Sequence, residues 1–212
     1  MSNEAPAKPH LLLISLNLEP WFDERYGPLL DKIFAKAITQ RAKTPDVVRL
    51  ALSENKPSAI LITDEALTTR EHAQVWDAVL NYVREGGTAV CMGHFSSYVN
   101  FLDIKPFFAK AGLPWEVGAY LRAKVTLNED TVGIDLEPSL PECYSQKALF
   151  LKNVEDAAAW YYPSEDEVIE SLMTQTPVAL AKVGEGKLGY VGDVNKEEGS
   201  DAVVLAMCGL SA

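Results

Sequence analysis

Residues 84–99, REGGTAVCMGHFSSYV, decide the fold. The stretch closes an amphipathic helix, runs through an apolar strand and ends in a turn of small and polar residues. Upstream, Trp76, Val79, Leu80 and Val83 recur at helical spacing, Thr68 and Glu71 have capping-box spacing at the helix start, and Gly86 is placed to stop it. Residues 88–92 then form a short apolar run of the kind a buried parallel strand shows. Cys91 at its end is either a nucleophile on a sharp turn or an ordinary buried thiol.

The same alternation extends outward. Residues 10–16 read as a central strand, being continuously apolar between Pro9 and Asn17. Pro28 suits a helix first turn, and Leu29, Leu30, Ile33, Phe34, Ala37 and Ile38 give one apolar stripe after it. Residues 46–52 (DVVRLAL) read as a weaker strand and 59–63 (AILIT) as a strong one. Strands separated by helices predict right-handed crossovers and an α/β domain with a mainly parallel, doubly wound sheet, a flavodoxin-like three-layer arrangement over residues 1–212. Ligands of such sheets bind at the carboxyl ends of the strands, which here hold residues 17–23, Asp64 and Glu65, and residues 93–97.

In the second half, residues 104–111 predict a short helix, and residues 121–127, 147–154 and 157–162 predict strands. Residues 176–194 (TPVALAKVGEGKLGYVGDV) have the pattern of an antiparallel hairpin turning at Gly184, Glu185 and Gly186, and residues 200–210 a closing helix. Gly184, Gly186 and Gly189 lie between two strands rather than before a helix, so they read as a hairpin turn and not as a phosphate loop.

Composition narrows the function classes. The chain has 212 residues, is 48% hydrophobic and 23% charged, and carries a formal net charge of −11, which opposes nucleic acid and anionic membranes as partners. The first residues lack a signal peptide's layout, and no apolar run approaches the roughly 18 residues needed to span a bilayer. Cys91, Cys143 and Cys208 are scattered without CxxC spacing, which argues against disulfides or a zinc site and for a reduced, cytoplasmic protein. No metal or cofactor is expected.

A nucleophile elbow needs small residues two before and two after the reactive one, and Ala89, Cys91 and Gly93 meet that condition. A thiol there would lie near the first amides of the next helix, whose partial positive charge favours thiolate. His94 is either a base or a packed turn residue. Ser96 and Ser97 do not fit GxSxG and read as helix N-caps.

The order of elements, the GGTAVCMGHF segment after an amphipathic helix and the late GKLGYVGDVN before a helix together resemble the class I glutamine amidotransferase-like superfamily, with the ThuA-like and DJ-1/PfpI groups among its relatives. In DJ-1/PfpI members the nucleophilic cysteine is followed by histidine and glycine, whereas Cys91 is followed by Met92 and Gly93. True amidotransferases end a late strand in histidine with a glutamate two residues on. The matching place here reads Gly192, Asp193, Val194, Asn195. The resemblance therefore implies a fold without the amidotransferase triad, and it places Glu19 or Asp23 in the loop from which relatives direct a carboxylate at the thiol.

Two functions follow. One is a small-molecule binding or scaffold protein without glutaminase activity. The other is a DJ-1/PfpI-like hydrolase or lyase, with Cys91 as nucleophile, Glu19 or Asp23 tuning it, and Gly93 and His94 stabilising an oxyanion. The candidate catalytic set is thus Cys91, His94, Glu19 and Asp23, and the candidate ligand-binding set Asp64, Glu65, Gly93, Ser96, Ser97 and Asp193. Asp64, Glu65 and Glu71 with Glu19 and Asp23 read as solvated carboxylates rather than a metal cluster, with His72 on a helix and His10 at the opposite sheet edge. Trp115, Tyr120, Tyr144, Trp160, Tyr161 and Tyr162 either line a pocket or pack a core or homodimer face. The expected partners are a small-molecule ligand and a second copy of the chain. Cys143 and Cys208 receive no role.

Overall fold

The computed structural model describes residues 7–54, 56–132, 139–164 and 170–210. The lead at residues 1–6 lies outside them. Strand β1 (His10–Ile14) leads through a loop into helix α1 (Phe22–Lys36), then strand β2 (Ile38–Ala42), helix α2 (Pro45–Glu54), strand β3 (Ala59–Ile62), helix α3 (Ala73–Arg84) and strand β4 (Thr88–Cys91). Two short helices follow, α4 (Phe95–Tyr98) and α5 (Phe101–Lys110). Then come strands β5 (Glu116–Leu127), β6 (Cys143–Lys152), β7 (Ala159–Pro163), β8 (Val178–Val183) and β9 (Gly186–Val191), and helix α6 (Glu198–Met207).

These strands form one nine-stranded mixed sheet in the order β2-β1-β3-β4-β9-β8-β7-β5-β6. Pairing is parallel from β2 to β9 and antiparallel from β9 onward. The antiparallel part is larger than the terminal hairpin expected from sequence, because β5, β6 and β7 join it. It also curls back on itself: the Leu149 N–H donates to Gly192 O at 3.0 Å and the Val194 N–H to Lys147 O at 2.9 Å, so β6 lies against the end of β9. At the close approach between them, a Cβ on Gly192 would penetrate the Leu149 carbonyl oxygen and meet Pro177 O at 3.1 Å.

Side chains alternate across the strands, so the sheet buries two cores. Leu11, Leu13, Leu61, Val90 and Met92 pack with α1 and α6. Leu12, Ile14, Ile60, Ile62, Ala89 and Cys91 pack with α2, α3 and α5. On that second face Trp76 stacks on Phe107 with ring centroids 4.0 Å apart, and its indole N–H donates to Phe107 O.

Three sequence expectations are corrected. Residues 46–52 are helix, not strand. Pro45 supplies a first helical position, the Thr44 hydroxyl faces the Val47 N–H at 3.5 Å, and only Val48 and Ala51 are fully buried, a three-residue spacing. The second strand is β2 instead, and Ile38 belongs to it. Helix α1 begins six residues before Pro28, its buried stripe being Phe22, Tyr26, Leu29, Leu30 and Ile33, while Phe34 faces solvent. Thr68 and Glu71 form no capping box: Thr68 ends a 3-10 turn capped by Asp64, and α3 starts after His72. Gly86 does close α3, its N–H donating to Val83 O at 2.9 Å.

Candidate functional site

The carboxyl ends of β1, β3, β4 and β9 converge on one edge. There the chain leaves β4 through Cys91, Met92 and Gly93, and the direction of each side chain follows from the pleat. Cys91 opposes Ile62 on one neighbour and Tyr190 on the other, pointing into the α3/α5 core, where it is completely buried. Burial, with no charged partner as a cause, pushes its thiol pKa well up. Such a sulfur stays protonated at neutral pH. Met92 points the other way, toward Phe22 and Tyr26.

The sharp turn itself is at Gly93, with φ of +66°. A Cβ there would meet the Phe22 ring at 3.0 Å and Thr63 O at 3.2 Å. The position where a strand-to-helix elbow carries its reactive residue thus holds no side chain, and the residue after it is His94. Gly93→Ala should cost about 2 kcal/mol, combining the left-handed backbone penalty with crowding against Phe22. Urea denaturation checks this, and a loss below about 0.5 kcal/mol would contradict the turn geometry.

His94 is 3% exposed and boxed by three rings, Phe22, Tyr26 and Tyr98, at centroid distances of 5.2, 5.5 and 5.3 Å. Its backbone N–H donates to Thr63 O at 2.9 Å, and its Nδ1 has no hydrogen-bond partner among the described residues. Burial, and then the Arg25 charge, hold its pKa below the usual histidine value, so the ring is neutral. It packs on the Phe22 face while Cys91 packs on the other.

The remaining sequence candidates fall into separate environments. Asp23 is drawn sideways to Arg41, 2.6 Å away, and Arg41 in turn lies over the Phe22 ring. Glu19 is half-buried and offers its carbonyl to the Phe22 N–H. Asp64 is buried, accepting from the Asn17 N–H at 3.0 Å and the Ala66 N–H at 3.1 Å, and Glu65 accepts from the Asn17 amide at 2.6 Å. Desolvation raises the Asp64 pKa to about 6, against the lowering effect of those two N–H groups.

Neither serine is an N-cap. Ser96 is buried in α4 and donates to the Tyr190 hydroxyl at 3.0 Å, which donates to Leu149 O at 2.7 Å. Ser97 is exposed in α4, and α5 is capped by Asn100. Asp193, buried after β9, accepts from the Asn195 N–H at 2.7 Å and the Glu197 N–H at 2.6 Å, fixing the turn into α6. Among the described residues, no three His, Cys, Asp or Glu side chains converge as a metal site would require.

Sequence reasoning missed Arg25 and Tyr26, which stand beside His94 and Asp193. Arg25 donates from Nη2 to Val194 O at 2.7 Å, and Tyr26 is 4% exposed with the Arg25 side chain against its hydroxyl. The signal was the α1 stripe, hidden because the helix was started at Pro28. The aromatic-rich second half is largely core: Trp115, Trp160 and Tyr161 are buried, Tyr144 packs edge-on to Tyr161 at 5.2 Å, and Tyr120 is exposed.

Sheet order, the glycine turn after β4 and the late β9–α6 turn belong to an α/β fold with one mixed sheet, and that fold is similar to the fold of a ThuA-like protein. A ThuA-like protein of Parabacteroides merdae superposes with a TM-score of 0.59 at 12% identity, over 97% of this chain and 90% of its own. A cytoplasmic protein of Salmonella typhimurium LT2 gives 0.59 at 13% identity, over 96% and 100%. The β-galactosidase of Bacillus circulans sp. alkalophilus gives 0.58 at 15% identity, this chain being 94% covered but spanning only 30% of the enzyme's length. At these identities the likeness is one of fold. No protein-family model and no curated protein sequence matches the chain. No helix among the described residues is long and apolar enough to cross a membrane.

Proposed function

We propose that this chain is a flavodoxin-like, doubly wound domain of the glutamine amidotransferase-like type that binds a small molecule without glutaminase chemistry. The observation that carries the reading is the pairing of an empty elbow with a misdirected thiol: Gly93 has the turn backbone but no side chain, and Cys91 is sealed in the opposite core. A thiol pushed up in pKa by burial and lacking a charged neighbour is a poor nucleophile. The late-strand position where relatives carry a base supports the same reading, because Gly192 has no room for a side chain and Asp193 is engaged by two backbone N–H groups. Three unpaired cysteines agree with a reducing, cytoplasmic setting.

Ammonia release from L-glutamine tests the reading. The chain and its Cys91→Ala variant should both release ammonia at the background rate. Release that depends on Cys91 would overturn the reading, because it would make Cys91 a working glutaminase nucleophile.

A further inference from the structure

Strand β2 ends the sheet and pairs only with β1. Along it the Ile38 N–H donates to Pro9 O and the Ala42 carbonyl accepts from the Ser15 N–H, so the even-numbered residues spend their backbone groups on β1. The backbone N–H and C=O of Thr39 and Arg41 face the other way, where no partner among the described residues meets them. An open edge of this kind is a template for another strand unless something guards it. Arg41, the cation within the strand, is drawn back onto Asp23 and over the Phe22 ring, so it leaves the edge open. Apolar side chains flank it, with Ile38 50% exposed on β2 and Phe34 47% exposed on α1. Between α1 and β2 runs a groove of about 460 Å³ lined by Leu13, Leu30, Phe34 and Thr39, with Asp31 and Lys43 at its rim.

Self-complementary spacing identifies the occupant. An antiparallel copy of β2 centred on Gln40 sets Thr39 of each strand opposite Arg41 of the other, and residues so paired exchange both N–H to O bonds. Helix α1 runs back beside β2 from the corner at Ala37. Gln40 lies about 10 Å from that corner along the strand. The same distance of about 10 Å along α1 reaches Leu30 and Asp31. One two-fold axis therefore serves strand and helix together, and each Phe34 enters the other copy's groove beside Leu30. Asp23 and Glu24 stand in the first turn of α1 and Lys36 in its last, so antiparallel copies of α1 bring opposite charges together at both ends.

We infer that the chain forms a two-fold homodimer through β2, with the two sheets joined edge to edge into one. This assembly is independent of what the domain binds.

Sedimentation velocity of the full chain over about 1–100 μM tests it, a range suited to an interface of modest size. A reversible shift from monomer to dimer is expected. Phe34→Glu changes an exposed side chain and should weaken the dimer by at least about tenfold. Thr39→Pro removes an outward N–H at a position where an edge strand tolerates proline, and should do the same. Leu102→Glu, at an 82% exposed residue on α5, should leave association unchanged. Gln40→Cys, oxidised with glutathione disulfide, reads the register. Its two copies would stand about 4.5 Å apart between Cα atoms, within reach of a disulfide, whereas those of Ile38→Cys would be more than about 13 Å apart and should not cross-link. Should Thr39→Pro fail to fold in a thermal melt, Phe34→Glu and Gln40→Cys carry the test. The dimer is overturned if the chain stays monomeric, or if masses climb past the dimer as head-to-tail pairing would give. The β2 interface is overturned if Phe34→Glu associates as the parent does, if Leu102→Glu weakens association equally, or if Ile38→Cys cross-links as readily as Gln40→Cys.

Discussion

Replacing Gly192 by alanine is expected to lower the unfolding free energy by about 3 kcal/mol, as backbone overpacking does. The added methyl would penetrate the Leu149 carbonyl oxygen, and neither partner can yield. That carbonyl already accepts from the Tyr190 hydroxyl at 2.7 Å, and the Leu149 N–H is bonded to Gly192 O. Gly27→Ala, in α1 with nothing within 4 Å of the new methyl, is the control and should be neutral or stabilising by up to about 1 kcal/mol. Equal effects in the two variants, measured by urea denaturation, would contradict the closure of β6 onto β9. The same contact bars a side chain at 192, so the first position after the late strand cannot supply a catalytic base.

The second large effect is a pH dependence. Asp64 has its folded pKa raised to about 6 from an ordinary 3.8, with burial the main cause. Because the folded value lies above the unfolded one, the native state binds the proton more tightly. The stability contribution is therefore fully present below the unfolded value and lost as pH rises through about 6. Roughly two pKa units correspond to about 3 kcal/mol. Asp64→Asn cannot titrate, so the stability of the parent relative to this variant should rise by about that amount between pH 7.5 and pH 3.5. A relative stability that stays flat over that range would contradict the burial of an ionisable Asp64.

The parallel half of the sheet was legible because His10–Ile14, Ala59–Ile62 and Thr88–Cys91 are continuous apolar runs, which only a strand covered on both faces requires. Strand β2 was not legible. Its sequence, ITQRA, is polar enough for a half-exposed edge strand, and the more apolar DVVRLAL nearby took its place although Pro45 marked a helix start. The fold of β6 back onto β9 has no local signal, since it depends on Gly192 meeting a carbonyl more than forty residues earlier in the chain. At the site, the small residues around Cys91 were read as an elbow centred on the cysteine. The pleat decides otherwise: Cys91 and Gly93 are two residues apart, but the strand ends at Cys91 and the positive φ falls on Gly93. Asp64 and Asp193 stand at the carboxyl edge as expected, yet their carboxylates are occupied by backbone N–H groups. Arg25 and Tyr26 became visible only once α1 was seen to begin at Phe22.

The central claim is that Cys91 is a sealed core residue rather than a nucleophile. The pH dependence of its alkylation by iodoacetamide in the native chain, read by mass spectrometry of the Cys91 peptide, tests this most directly. The structure predicts that Cys91 is modified only as fast as the protein unfolds, and that urea raises the rate together with the unfolded fraction. Rapid modification of the folded chain, with a midpoint well below the free-thiol value of about 8.5, would contradict it.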